Sequence, residues 1–271
     1  GSTIGMLGGG QLGRMFVTAA RTMGYEVIVL DPDPHSPAGS MATDHLATDY
    51  NDIQALDQLK QRCDVITTEF ENIPVPALEY LSEQLPVHPS PDALMITQNR
   101  IREKSFIQSL DLKTSSFVAL ETEQDLEKID RISYPAILKT ATLGYDGKGQ
   151  VVCQTADEVR EAFNQIGTAC VLEQRIELAK EISVVLARNA EGQSFCFPVA
   201  ENEHKNGILD VSVAPADVSE QLATQAQHEA EVIARSLNYC GVMAVEFFIS
   251  TGGELLVNEI APRPHNSGHF T

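Results

Sequence analysis

The chain has 271 residues, 43% of them apolar, and a formal net charge of −19. That length allows two domains, or one with an inserted lobe, and a real core. The charge argues against broad binding to nucleic acid or to an anionic membrane, because no basic block offsets it. The five cysteines are scattered and never form a C-x-x-C pair, so a disulfide framework or zinc knuckle is not expected and buried thiols in a reducing compartment are. No leader precedes the first apolar run and no run reaches membrane-spanning length, which reads as cytoplasmic.

Thr3–Leu7 reads as a short strand, followed by Gly8-x-Gly10-x-x-Gly13 and a helix whose apolar positions recur until Gly24. Glu26–Leu30 is a second strand ending in Asp31. A helix over Asp52–Arg62, a strand over Asp64–Thr68 ending in Glu69-Phe70-Glu71, and a helix opened by Pro76 repeat the alternation. Such alternation predicts a parallel, doubly wound (Rossmann-like) sheet over residues 1–95. The glycine run matches the dinucleotide fingerprint, with Asp31 where a ribose-binding acid would stand, but tight strand–helix packing explains the glycines equally well. Glu69 and Glu71 lie at the strand edge where ligands bind, or simply cap the loop before Pro74.

The Pro-rich Val87–Pro91 joint puts a domain boundary near residue 95. A helix through Ala93–Leu110 carries Arg100 and Lys104. Tyr134–Lys139 reads as a strand ending in a cation. Gly144-Tyr145-Asp146-Gly147-Lys148-Gly149-Gln150 follows, a glycine-rich loop able to cover phosphates without being a Walker loop. Thr155 opens a helix running to about Ile166. Cys170–Ile176 and Glu181–Leu186 read as strands, with Glu173–Ile176 and Glu181 either edge charges or the adenine and ribose sides of a nucleotide pocket. His204 and Lys205 are placed in a polar loop, and Ser219–Asn238 in a helix with an apolar stripe.

Gly252-Gly253 reads as the two-residue loop of a hairpin. That loop sets Glu246 opposite Glu259, with Cβ atoms roughly 4.5–5.5 Å apart. Like charges so placed are destabilising. Each is expected to share its face with an apolar neighbour, Phe248 beside Glu246 and Val257 beside Glu259, so a plain solvated face explains them poorly. A hard divalent cation completed by phosphate oxygens explains them better. Beyond them, prolines fix an extended segment carrying Arg263, His265 and Asn266; Arg263 suits a small anion and Asn266 offers the cation another oxygen.

Taken together, Gly8–Met15, Glu69–Glu71, Gly144–Gln150, Glu173–Ile176, Val245–Phe248 and Asn258–His269 make the chain resemble the ATP-grasp family, and within it the N5-carboxyaminoimidazole ribonucleotide synthetases of purine biosynthesis. The resemblance implies an α/β chain in which an ATP-grasp α+β domain follows from residue 96, with a lid lobe inserted at about 113–176. It also implies a further small C-terminal domain that this sequence does not include. ATP would be bound by Arg100, Lys139, Gly144, Tyr145, Asp146, Gly147, Lys148, Gly149, Gln150, Glu173, Gln174, Arg175, Ile176, Glu181, His204, Asn258 and Glu259. Mg²⁺ would sit on Glu246 and Glu259 with Asn266 or Asn258 adjacent; Gln11, Leu12 and Glu69 would face the ribonucleotide; Arg263 and His265 would hold bicarbonate and its phosphorylated form. The implied reaction is an ADP-forming carboxylation of aminoimidazole ribonucleotide through carboxyphosphate, with a homodimer expected. Alternatives are the formate-using glycinamide ribonucleotide transformylase of the same fold and, more distantly, a nicotinamide-dependent oxidoreductase.

Overall fold

The computed structural model describes residues 1–144, 149–205 and 207–271. The first lobe is a sheet of five parallel strands, β1 (Thr3–Leu7), β2 (Glu26–Leu30), β3 (Asp44–Leu46), β4 (Val65–Thr68) and β5 (Val87–His88), in the order β3-β2-β1-β4-β5. Consecutive strand residues point to opposite faces, and both faces are covered. Met6, Val27 and Val29 pack with Val17 and Ala20 of α1 (Gln11–Thr22). Leu7, Ile28 and Ile66 pack with Leu56 and Leu59 of α2 (Ile53–Arg62) and Leu78 and Leu81 of α3 (Val75–Ser82). Asp52 caps α2 by accepting from the Gln54 and Ala55 N–H groups.

The helix expected over Ala93–Leu110 is two helices, α4 (Pro91–Thr97) and α5 (Arg100–Ser109). Asn99 breaks it, because its side chain accepts from Ile101 N and Arg102 N and starts a new helix there. The Gln98 amide is anchored on the Glu71 and Ile73 carbonyls.

A four-stranded antiparallel sheet follows, ordered β6-β9-β7-β8: β6 (Phe117–Leu120), β7 (Ala136–Thr140), β8 (Gln150–Cys153) and β9 (Cys170–Gln174). With α6 (Ala156–Ile166) it holds its own core around Leu120, Leu138, Val159, Phe163 and Leu172. Thr155 caps α6 and Gly167, at φ +67, ends it.

The remaining chain forms the central sheet: β10 (Leu178–Arg188), β11 (Ser194–Cys196), β12 (Ala200–Lys205), β13 (Ile208–Val213), β14 (Gly241–Ser250) and β15 (Leu255–Ala261), ordered β13-β12-β10-β14-β15 with β11 on β10. One face buries Ile182, Val184, Val245 and Phe247 under α7 (Glu220–Ser236), through Ala226, Ala230 and Ile233. The other face carries the chemistry. His204 and Lys205, expected in a loop, instead end β12, paired with Leu209 and Ile208 of β13. β13 is the sheet's edge, β12 pairs with β10 only through Ala200–Asn202, and Ala-Glu-Asn-Glu-His-Lys shows little of the apolar alternation that marks a half-buried strand. Among the described residues no helix is long and apolar enough to cross a membrane.

Candidate active site

The cavity floor is the β14–β15 hairpin. Its loop has three residues, Thr251–Gly253, not two: Ser250 N donates to Glu254 O at 3.0 Å, Gly253 N to Ser250 O at 2.8 Å, and Gly253 takes φ +79. This loop pairs Ile249 with Leu255 and Phe247 with Val257. Left to run on, that register would not bring Glu246 and Glu259 face to face. A β-bulge restores the match, because Asn258 is an extra residue on β15 and Glu246 pairs with Glu259 after all. The loop register sets Val257 opposite Phe247 in the core, and the bulge turns Glu259 to the other face, so the two do not share a face as expected. Asn258 Nδ2 lies 3.5 Å from Glu246 Oε2.

The two carboxylates are not equivalent. Burial would raise the pKa of Glu246, but the His265 hydrogen bond, with Nε2 2.9 Å from Glu246 Oε1, holds it below the usual range. Glu259 is pushed up by its enclosure and by the Glu246 charge, against Arg100 and Lys139. Its side chain is 48% accessible, but to the cavity, and its nearest cation is Arg100 Nη2 at 3.8 Å. A divalent cation between the two would relieve this repulsion. Among the described residues no cluster of three His, Cys, Asp or Glu could hold a metal unaided. The donor set therefore suits Mg²⁺, which takes one or two carboxylates and completes its shell with phosphate and water. Asn266 lies on the cavity wall, and the amide hydrogen-bonded to Glu246 is Asn258.

The cavity above this floor measures about 1230 Å³, more than the roughly 300–1,000 Å³ of a pocket for one small ligand. Its upper wall is the four-stranded sheet. Lys139 and Lys104 each place Nζ 3.2 Å from Glu173 Oε2, which also accepts from Ser115 Oγ at 2.9 Å. Burial alone would raise the Glu173 pKa; the charges of Lys139 and Lys104 and the Ser115 hydroxyl bring it to about 2. Burial depresses Lys104, which shares this one carboxylate with Lys139. Glu173 Oε1 is buried with no hydrogen-bond partner among the described residues.

Gly144, Gly149, Gln150, Gln174, Arg175 and Ile176 line the same cavity. Gly149 is required there, since it takes φ +74 and a Cβ would sit 2.8 Å from Thr140 Oγ1. Tyr145, Asp146, Gly147 and Lys148 lie outside the described residues. Glu181 and His204 meet, with Oε2 2.7 Å from Nδ1, and Glu181 raises the His204 pKa against burial.

Sequence reasoning passed over Glu103 and Ser115, and named Lys104 without a partner or a role. Glu103, 2% exposed, accepts the Ile260 N–H at 2.7 Å, locking α5 to the strand that carries Glu259. Burial and the Glu259 charge push its pKa up to about 8. A signal existed: Arg100, Glu103, Lys104 and Ile107 fall at i, i+3, i+4 and i+7, so an inward helical face is charged.

The first lobe contributes differently from expectation. Gly10 N donates to Glu69 Oε2 at 3.1 Å, and Cβ atoms on Gly8, Gly10 and Gly13 would stand 2.8, 2.4 and 2.9 Å from Glu69 side-chain atoms. The glycine run is a cradle for the chain's own carboxylate. Asp31 is also engaged, by Gly9 N at 2.7 Å and Tyr50 OH at 2.9 Å. The groups a nicotinamide dinucleotide would need are thus occupied within the lobe. Gln11 and Leu12 begin α1; neither they nor Glu69 line the cavity. Glu71 does, and it grips Arg263 through both Nε and Nη2. The Glu71 carboxyl, which burial alone would push up, is held below the usual range by that guanidinium.

Residues 105–271 match the ATP-grasp domain, and residues 2–98 match the ribonucleotide synthetase preATP-grasp domain. Over its full length the chain is 41% identical to the N5-carboxyaminoimidazole ribonucleotide synthase of Staphylococcus aureus (strain COL), spanning 72% of that protein. It is 44% identical to a bifunctional purine synthesis protein of Dictyostelium discoideum, of which it spans 28%. A crystal structure of the Staphylococcus aureus synthetase with ADP superposes with a TM-score of 0.94 at 41% identity, covering all of this chain and 72% of that one. The Aspergillus clavatus synthase with ADP and 5-aminoimidazole ribonucleotide gives 0.90 at 28% identity, over 99% and 72% of the two chains. With the cavity, the paired carboxylates and these matches in agreement, the chain belongs to the ATP-grasp family, among its N5-carboxyaminoimidazole ribonucleotide synthetases.

Proposed function

We propose that the chain carries out the ATP- and bicarbonate-dependent carboxylation of 5-aminoimidazole ribonucleotide. The observation that carries this reading is the Glu246–Glu259 pair, facing each other on the floor of a cavity that Lys139 and Arg100 also line. Glu246 and Glu259, with the Asn258 or Asn266 amide, would hold Mg²⁺, which offsets the negative charge growing on the transferring phosphoryl group. Lys139 and Arg100 add fixed positive charge on the other side. Gln174–Ile176, Glu181 and His204 line the cavity and would form the nucleotide end, with His204 held by Glu181.

In the reaction a bicarbonate oxygen attacks the γ-phosphorus and ADP leaves, giving carboxyphosphate. The aminoimidazole nitrogen then attacks the carboxyl carbon, phosphate departs, and the nitrogen loses a proton. Arg263 is pre-oriented by Glu71, so its remaining Nη hydrogens meet a small anion at little entropic cost. His265 stands beside it on the same wall. Gly144, Gly149 and Gln150, which line the cavity, would lie beside the phosphates and help keep water from the labile acyl phosphate. A cytoplasmic homodimer completes the reading. The test is ADP release from purified protein. It should require bicarbonate and rise when the ribonucleotide is added; release indifferent to both would remove the assignment.

A further inference from the structure

Beside the cavity floor a line of polar side chains crosses the central sheet. Ser212 donates to Asn202 Oδ1 at 2.7 Å, Asn202 Nδ2 donates to Ser183 Oγ at 2.9 Å, and Ser183 Oγ donates to Ser267 Oγ at 2.7 Å. Ser267 reaches His265 Nδ1 twice, through Oγ at 2.8 Å and through its backbone N–H at 3.2 Å. The other ring nitrogen, Nε2, faces Glu246 Oε1 at 2.9 Å. Ser183 and Ser267 are fully buried and Asn202 is 6% exposed. Ser183 is also the β10 residue paired with Glu246 on β14.

The direction of this line is set at its histidine end. The Ser267 backbone N–H can only donate, so Nδ1 accepts, and the side chains follow: the Asn202 amide nitrogen donates to Ser183 Oγ, which sends its own hydrogen to Ser267. That leaves the Ser267 hydroxyl hydrogen for Nδ1. The ring hydrogen therefore sits on Nε2, toward Glu246. Burying three polar side chains is costly unless each is satisfied, and here all three are spent on one imidazole.

We propose that Ser267, Ser183 and Asn202 are positioning residues that hold His265 as an Nε2–H donor to Glu246. His265 then orients a carboxylate of the floor and is not a proton acceptor. The functional weight of Glu246 rests on the ligase reading above; the tautomer does not. A buried neighbour that sets which ring nitrogen carries hydrogen is a common device behind carboxylate and metal sites.

The test is a long-range ¹H–¹⁵N correlation spectrum of the 271-residue protein with ¹⁵N-labelled histidine, free of ligands, His265 being assigned by its loss in His265→Gln. The expected pattern is a pyridine-type Nδ1 and a pyrrole-type Nε2; the reverse pattern overturns the proposal. Asn202→Asp keeps the shape but offers Ser183 only acceptors, which turns both serine hydroxyls around. The Nδ1 resonance should then shift toward the pyrrole type, whereas Ser183→Thr, which keeps the hydroxyl, should retain the wild-type pattern. An unchanged His265 in folded Asn202→Asp removes the relay. If that variant does not fold, Ser267→Ala serves in its place: it removes the hydroxyl donor while keeping the backbone N–H, so the Nδ1 resonance should move toward that of an unbonded pyridine-type nitrogen, and an unchanged signal removes the relay. These spectra do not depend on turnover, so a chain that releases no ADP with bicarbonate would sink the ligase reading while leaving the relay standing.

Discussion

Glu259 is where residue-level electrostatics and function pull in opposite directions. Its charge is disfavoured by enclosure and by Glu246, so Glu259→Gln relieves repulsion while removing a cation ligand. The expected result is a melting temperature no lower than wild type, with turnover reduced at least about 100-fold, as loss of several kcal/mol of metal assistance implies. Calorimetry and the ADP-release assay read the two halves separately. Glu173 behaves in the opposite way. Its pKa falls from 4.5 to about 2 in the fold, so its stabilisation is complete above the unfolded value and is lost as pH drops from about 4.5 toward 2. The linkage is worth about 3 kcal/mol. Urea unfolding at pH 7 and pH 3 should show wild type losing about 2 kcal/mol more than Glu173→Gln, the rest going only as pH approaches 2, although the variant starts lower because Lys104 is left buried without its counter-ion.

At the scale of elements, the hairpin shows both what a sequence tells and what it hides. Alternating apolar residues around Gly252-Gly253 identify the strands, and the facing of Glu246 with Glu259 follows from them. The path to that facing differs, because a three-residue loop and a bulge at Asn258 offset each other. Neither leaves a mark in the apolar pattern. Because Asn258 is the extra residue, deleting it should let Glu259 pair with Glu246 in a regular ladder and stay on the cavity face, with only the amide beside Glu246 lost. Nucleotide binding measured calorimetrically with Mg²⁺ should then be weakened in the deletion about as much as in Asn258→Ala, which keeps the bulge; binding lost in the deletion alone would show that the bulge itself places Glu259. The β12–β13 hairpin was illegible for a different reason, since every residue of β12 after Ala200 is polar or charged and the strand lacks the apolar alternation of a half-buried one. The glycine run was legible as an anion cradle, but the anion is Glu69, 59 residues away from Gly10, and no local pattern reports a partner so distant.

For the whole molecule, the fold class came from strand–helix alternation and the site from a handful of acids, glycines and prolines. What stayed hidden were long-range polar ties: Lys104 to Glu173, Glu103 to Ile260 N–H, and Glu71 to Arg263. The last joins the parallel-sheet lobe to the segment after β15. Glu71→Ala strands the guanidinium in a largely enclosed place and should lower stability by about 1.5–3 kcal/mol, read from urea unfolding at pH 7, together with a raised KM for bicarbonate.

The same pair bears on how such proteins can be recombined. The two matched domains part between residues 98 and 105, a natural crossover point for gene shuffling. Yet Glu71 lies upstream of it and Arg263 far downstream. A chimera spliced there inherits an arginine held by its carboxylate only when both parents bring compatible halves. Hybrids whose upstream parent has a neutral residue at this position should express as folded lobes that fail to cooperate.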